Sequence, residues 1–479
     1  MSYRAPSVGI IGAGASGVLA AIHVFKAGKL PGSVVLIERS EVGTGVAYST
    51  TQQSHLLNVP AALMSALSRS PDHFVRWLNR QGSPDAGGSF VPRALYGRYL
   101  RETLRSATSA DEADRAIEVV RDEVVDIVVE GGAPKLVLSQ ASPRPVDAVV
   151  LATGLVPPRF PGSLATAADH PRCIVNPWAP GALDVVPAGD TVTLLGTGLS
   201  AVDALLTLAD RGQRGLVRAI SRHGLLPAAH TPARHADALA ADHGQPLGGA
   251  TATARGLLRG FRQEVSRAEA LGADWRDVVD LVRPRVPDLW QGLDEAEQRR
   301  FKRHLERVWN VHRHRMAPQV ADRVEQLREA GVFHVHAGEV LSLRPNKGSL
   351  GLDLRLRATG LIHTWDTDWL VNCTGPDPVV FRDDQVLMNT LRARGLAIPG
   401  AHGIGVATSR TGNVLDSGGH PVEWLWAIGP LRQGDLYEST AVPEIRSQAH
   451  DVAGEIRRWL EANVAVKRDS NRAQLATAV

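Results

Sequence analysis

Cysteine is scarce. The 479-residue chain holds two, Cys173 and Cys373, far apart in sequence. No CxxC or CxxxxC pair exists, so redox chemistry through a closely spaced cysteine pair is excluded. A structural zinc site is not expected either, and both thiols read as buried core groups. Excess charge is also missing: 53 Lys plus Arg stand against 50 Asp plus Glu. No long basic block is interleaved with aromatics, so nucleic acid is not an expected partner. No run is long and apolar enough to span a bilayer. The first strand begins within a few residues of Met1, which leaves no room for a signal peptide, and a cytoplasmic location is expected. There is no short-period tandem repeat, and no pattern that would hold a metal.

What is present in quantity is glycine, 46 residues, and one spacing of it occurs twice. In "VGIIGAGASGVLAA" (Val8 to Ala21), an apolar strand runs into Gly12-x-Gly14-x-Ser16-Gly17 and then a helix. The first glycine allows a tight turn, the second lets backbone approach a pyrophosphate, and the third lets helix pack on strand. The helix N-terminus turns unpaired N–H groups toward the phosphates. A second apolar strand ends in Glu38, about 20 residues further on, where a carboxylate accepts the ribose hydroxyls of an unphosphorylated adenosine. This site is built for FAD or NAD.

The second occurrence, "VTLLGTGLSAVDALL" (Val192 to Leu206), carries Gly196-x-Gly198-x-Ser200-Ala201. The strand after its helix ends in Ser221-Arg222-His223, with no carboxylate. A carboxylate would repel a 2′-phosphate, whereas Arg222 can pair with one. This site is built for NADP.

The fold class is α/β: two Rossmann-like dinucleotide-binding domains with a helical insertion in the second. Residues 1–160 form the first part of the first domain. They include "EVVRDEVVDIVVEG", with Val124, and the strand "AVVLATG" ending in Thr153-Gly154. Residues 161–230 hold a proline-rich linker and the first part of the second domain. Residues 231–330 are rich in Ala, Arg, Glu and Leu with helical spacing, and form the insertion. Residues 331–375 complete the second domain, closing on "LVNCTG" and Gly375. Residues 376–463 return to the first domain, with a helix over about Val442 to Leu460. Residues 464–479 are expected to be a flexible tail.

The ordered set of fingerprint, ribose acid, ATG strand, second fingerprint and returning C-terminal segment resembles the flavoproteins with two dinucleotide-binding domains. Within them, "IERSEVGTGVAYST", "HLLNVPAALMSAL", "GTGLSAVDALLTL", "ISRHGLLPAAH", "WNVHRHRMAP" and "ESTAVPEIRSQA" are similar to a family of bacterial FAD/NAD(P)-binding proteins. More distantly, the chain resembles single-component flavin monooxygenases. Of their linker motif it has Phe160, Gly162, His170 and Trp178, with His170 eight residues after Gly162 rather than four. It reads Gly429-Pro430 where many relatives have Gly-Asp, and Asp435 is a candidate substitute.

The resemblance implies FAD in the first domain and NADPH in the second. Thr44, Gly45 and Asn58 would approach the flavin, and Gly429 and Thr440 would contact it from the C-terminal segment. It implies a flavin monooxygenase that oxygenates a small organic substrate with molecular oxygen through a peroxyflavin. An NADPH-dependent flavin reductase or dehydrogenase and a non-catalytic flavin-binding sensor remain as alternatives. The insertion is expected to cap the substrate pocket, with Asn58, Trp309 and His312 as pocket residues. His312, Arg313, His314 and Arg315 either line a pocket for an anion or end a solvent-facing helix.

Overall fold

The computed structural model describes residues 5–28, 32–83, 86–108, 116–231, 246–346 and 348–477. A six-stranded sheet organises the first domain. Its strands run in the order Asn413–Leu415, Pro421–Ala427, Ala148–Leu151, Ser7–Ile11, Ser33–Ile37 and Ala116–Val120. All neighbours are parallel except the first two. Ser7–Ile11 is buried throughout, as a central parallel strand with both faces covered must be. The next two strands in the chain lie on one side of it and the remaining three on the other, and this reversal opens a crevice beyond its carboxyl end. The Gly12 loop sits there.

The helix Ala15–Lys26 follows at once and is buried from Ser16 to Phe25. It is packed between Arg93–Thr108 and the last helix, Val442–Thr477. That last helix continues well past Leu460, the end expected from sequence. A small antiparallel sheet of Val124–Glu130, Ala133–Leu138 and Arg144–Pro145 covers the other face.

The second domain repeats the plan. Its seven-stranded sheet has the order Ile362–Thr367, Ser349–Leu356, Phe333–Asn346, Val217–Ser221, Val192–Leu195, Trp369–Asn372 and Cys173–Ile174. The first three strands form an antiparallel meander and the rest are parallel.

The helical insertion is present from Ala254 onward, while residues 232–245 lie outside the described part. Its C-terminal limit differs from the expected residue 330. Met316, Ala317, Val320, Val324 and Leu327 pack into the core of the second sheet. The helix Pro318–Glu329 is thus the crossover that feeds the parallel strand Phe333–Asn346, as such a connection requires. The helices from Ala254 to Arg313 form a separate apolar cluster of their own, joined by Tyr437.

Candidate active site

At the first loop, Gly12 has φ +95°, and a Cβ there would meet the Ala152 carbonyl oxygen at 2.6 Å. A Cβ on Gly17 would meet the Gly12 carbonyl oxygen at 1.8 Å. These two glycines therefore serve the close packing of strand, turn and helix. Gly14 differs: a Cβ there meets only Gly45, at ordinary contact distance of 3.5 Å or more. Its outer side is open, as a pyrophosphate cradle requires.

The Glu38 carboxylate is tied to this loop. Ala13 N donates to Oε2 at 2.7 Å, and Ser40 N and Oγ donate to Oε1 at 2.9 and 2.8 Å. Gly43 N donates to Ala13 O at 2.8 Å and brings Thr44 and Gly45 alongside. Thr153 is exposed at the end of its strand, and Gly154 has φ +73° with open space beside it. Gly429 lies against Ser16, and its N–H donates to Gln448 Oε1 at 2.8 Å.

Other expected contacts fall differently. The Val124 side chain is in the core beneath the small sheet, so it offers a cofactor no side-chain contact. Thr440 is exposed, while its neighbour Ser439 is fully buried with an unpartnered hydroxyl. Asp435 accepts from Thr408 N at 2.6 Å and Thr408 Oγ1 at 2.8 Å, and burial pushes its carboxyl pKa up. It is held by the loop around Thr408. His170 accepts from Arg172 N within a local turn. Asn58 O lies 3.0 Å from His230 Nε2, and burial lowers the pKa of that imidazole to about 4.

The second loop reproduces the first. Gly196 has φ +120°, and a Cβ there would meet Cys373 O at 2.4 Å. Gly198 has open space around it, Ala201 is buried at the packing position, and Ser200 is half-buried. Gly375 has φ +90° and open space, matching Gly154. Ser221 Oγ is spent on Thr197 Oγ1 at 2.8 Å and on the Gly224 N–H at 3.1 Å, so it shapes the turn.

Arg222 is exposed and makes no ion pair among the described residues. It is not alone. Arg357 contacts His223 and donates to Arg222 O at 3.4 Å. Arg307, from the insertion, has its pKa lowered by burial and by the charges of Arg222 and Arg357. His223 is also held below its ordinary pKa, by burial and then by the same three guanidiniums. Three like charges converging on one imidazole are costly unless an anion joins them. Sequence reading found Arg222 alone. Arg307 and Arg357 reach the site through the fold and carry no local signal.

The insertion is clamped to the last helix and to the segment just before it by buried ion pairs. Arg313 meets Glu438 at 3.1 Å and Glu444 at 3.4 Å, and Arg283 NH2 donates to Glu444 Oε2 at 2.6 Å. Trp309 Nε1 donates to Glu438 Oε1 at 3.0 Å. Arg315 is buried and pairs with Asp280 at 2.5 Å. Both arginines of the His-Arg stretch are buried and paired within the chain, Arg313 with the buried Glu438 and with Glu444, and Arg315 with the exposed Asp280, which corrects both the anion-pocket and the solvent-facing readings. Burial lowers the His314 pKa to about 4. His312 stands edge-on to Trp275 at 4.6 Å. Trp309 and His312 both line one apolar cavity inside the insertion.

A further contact locks the two domains and went unread in the sequence. Arg93 NH1 and NH2 donate to the Asp203 carboxylate at 2.9 and 3.3 Å, and His55 Nε2 lies 3.0 Å from Asp203 O. Among the described residues no helix is long and apolar enough to cross a membrane.

Residues 9–156 match the model of a family described as FAD-NAD(P)-binding. YdhS, an uncharacterized protein of Escherichia coli K12, is 26% identical over 219 residues, which span 42% of this chain and 39% of the relative. Among solved structures, the ornithine hydroxylase PvdA of Pseudomonas aeruginosa superposes with a TM-score of 0.65 at 17% identity. That match covers 96% of this chain and 100% of the other. The cadaverine monooxygenase DfoA of Erwinia amylovora, solved with FAD, gives 0.63 at 13% identity, covering 95% of each chain. The fold is that of the flavoproteins with two dinucleotide-binding domains.

Proposed function

We propose that this chain is an FAD-dependent oxidoreductase reduced by NADPH, and that it acts as a flavin monooxygenase on a small organic substrate. The observation that carries the reading is the pair of open glycine loops with opposite chemistry beside them. Glu38 stands at one, and the Arg222, Arg307 and Arg357 cluster stands at the other. The likeness to an ornithine hydroxylase and a cadaverine monooxygenase supports oxygen chemistry. Cys173 and Cys373 are buried free thiols, and burial raises both pKa values, so neither is a reactive thiolate and they speak against thiol–disulfide chemistry.

Bound FAD and NADPH would supply two-electron reduction and the activation of oxygen. This chain's residues do the rest. The N–H groups after Gly12 and Gly196 would receive the two pyrophosphates. Glu38 would take the ribose hydroxyls, and the three arginines would take the 2′-phosphate. The Arg93–Asp203 clamp fixes the two domains relative to each other, and positioning of this kind accounts for much of the catalysis in hydride transfer. The insertion, held by Glu438 and Glu444, shields the reacting centre from water.

The test is to mix FAD-loaded protein with NADPH in air and follow NADPH, oxygen and peroxide together. A monooxygenase consumes oxygen, and peroxide release falls when substrate is present. Fast NADPH oxidation that passes electrons to an added quinone, with oxygen untouched, would instead identify a reductase.

A further inference from the structure

The insertion holds a cavity of about 570 Å³. Native interiors pack closely, with few voids larger than a water molecule, and a cavity of this volume lies within the range of small-molecule sites. Its walls are aromatic and aliphatic: Phe261, Trp275, Trp290, Phe301, Trp309 and Tyr437 stand among leucines and valines. The polar wall residues are few. Arg262 and Ser266 are exposed and, with the 43% exposed Val308, mark an opening to solvent. His312 is tied up by Val308 O, 2.7 Å from its Nδ1. Among the described residues no carboxylate lines the wall.

Tyr437 joins this cavity to the rest of the site. Its φ of +61° is one that bulky residues rarely adopt, and it is held there by Trp290 at 4.9 Å and Phe301 at 5.4 Å. The next residue, Glu438, receives Trp309 Nε1, and Val442 opens the last helix four residues later. The cavity wall therefore continues directly into the segment expected to meet the flavin.

Resting on the oxidoreductase reading above, we infer that this cavity binds the substrate and that the substrate is an uncharged, apolar, ring-bearing molecule. Ornithine and cadaverine, the substrates named for the structural neighbours, carry ammonium groups. An ammonium ion in this cavity would lose its hydration and meet no carboxylate among the described wall residues, an arrangement that folded proteins avoid. Aromatic walls favour flat apolar rings instead.

Prodan, an uncharged naphthalene ketone, serves as the probe on FAD-loaded protein. Binding should be saturable and should shift the probe's emission to the blue. Excitation of Trp275, Trp290 and Trp309 should pass to the bound probe, because all three line the cavity. Filling the cavity with Val265→Trp, or independently with Leu257→Trp, should weaken binding about tenfold or more. Flavin content and melting profile select whichever variant is folded. Ornithine and cadaverine should not displace the probe.

Displacement by either amine, or undiminished binding in a folded filled variant, overturns the inference. Reduction of the flavin by NADPH is measured in the same samples. Reduction without saturable probe binding removes the cavity assignment and leaves the oxidoreductase reading standing. Probe binding without reduction does the reverse.

Discussion

Four glycines that look alike in sequence have two different jobs. Gly12 and Gly17 are required by the fold itself, because any Cβ strikes backbone. Gly14 and Gly198 are not: each has φ in the range open to any residue, −65° and −80°, and no close obstacle. Gly198→Val should therefore fold normally, retain FAD, and raise the KM for NADPH. Gly14→Val should fold but lose FAD. Absorbance at the flavin band and thermal melting separate these outcomes, and unfolding of either variant would contradict the account. The arginines give a second test at this scale. A charge-assisted hydrogen bond to phosphate contributes about 1.5–3 kcal/mol, or roughly ten- to a hundredfold. Arg307→Ala should thus raise the KM for NADPH by about that factor and leave NADH little changed. Equal loss for both coenzymes would assign Arg307 a packing role. Both loops were readable in the sequence because strand, glycines and helix occur within one short span, followed by an acid at the first and by Arg222 at the second. The cluster was not, because Arg307 and Arg357 come from separate elements that only the fold brings to Arg222.

The helix Glu306–Arg313 shows how much one short element can connect. Arg307 looks to the cationic cluster, Trp309 and His312 to the apolar cavity, and Arg313 to Glu438 and Glu444. Arg313 and Glu438 are each buried with 3% side-chain exposure. Replacing one partner of such a pair leaves the other charged and alone, which costs about 3–5 kcal/mol. Arg313→Met should therefore lower stability by that order in denaturant unfolding, and the double variant Arg313→Met, Glu438→Leu should recover part of it. No recovery would mean that the ion pair is not the source of the loss. In sequence this helix reads as the charged end of an insertion, since the carboxylates it meets lie more than a hundred residues downstream. The insertion's end was misplaced for a related reason. The apolar stripe Val320, Val324 and Leu327 has the same helical period as the insertion's own helices. What distinguishes it is position, immediately before a strand parallel to Val217–Ser221, where a crossover helix is obligatory.

At the scale of the whole molecule, two similar sheets are held in one arrangement by Asp203, Arg93 and His55, and the insertion by Glu438 and Glu444. The repetition of the two domains was legible because each half carries its own fingerprint and Thr-Gly strand end. Their mutual orientation was not, because it depends on side chains paired across the chain. Three histidines, His23, His230 and His314, have pKa values lowered to about 4, mainly by burial. Between the ordinary value of 6.5 and about 4, the unfolded chain binds more protons than the folded one, so stability rises with pH across that window. This contribution is complete above pH 6.5 and is lost as pH falls toward 4. Asp435 and Asp451, whose carboxyl pKa values burial raises, act in the opposite sense. Melting temperature should fall from pH 7 to pH 4.5, less steeply in His314→Gln, and a flat profile would contradict the burial of these imidazoles. The central claim, one resident FAD and one exchanging NADPH, is tested most directly by an anaerobic titration of the purified flavoprotein with each coenzyme. The account predicts that about one equivalent of NADPH bleaches the flavin absorbance, and that NADH does so at least tenfold more slowly at limiting concentration. A flavin that NADPH leaves oxidised would contradict it.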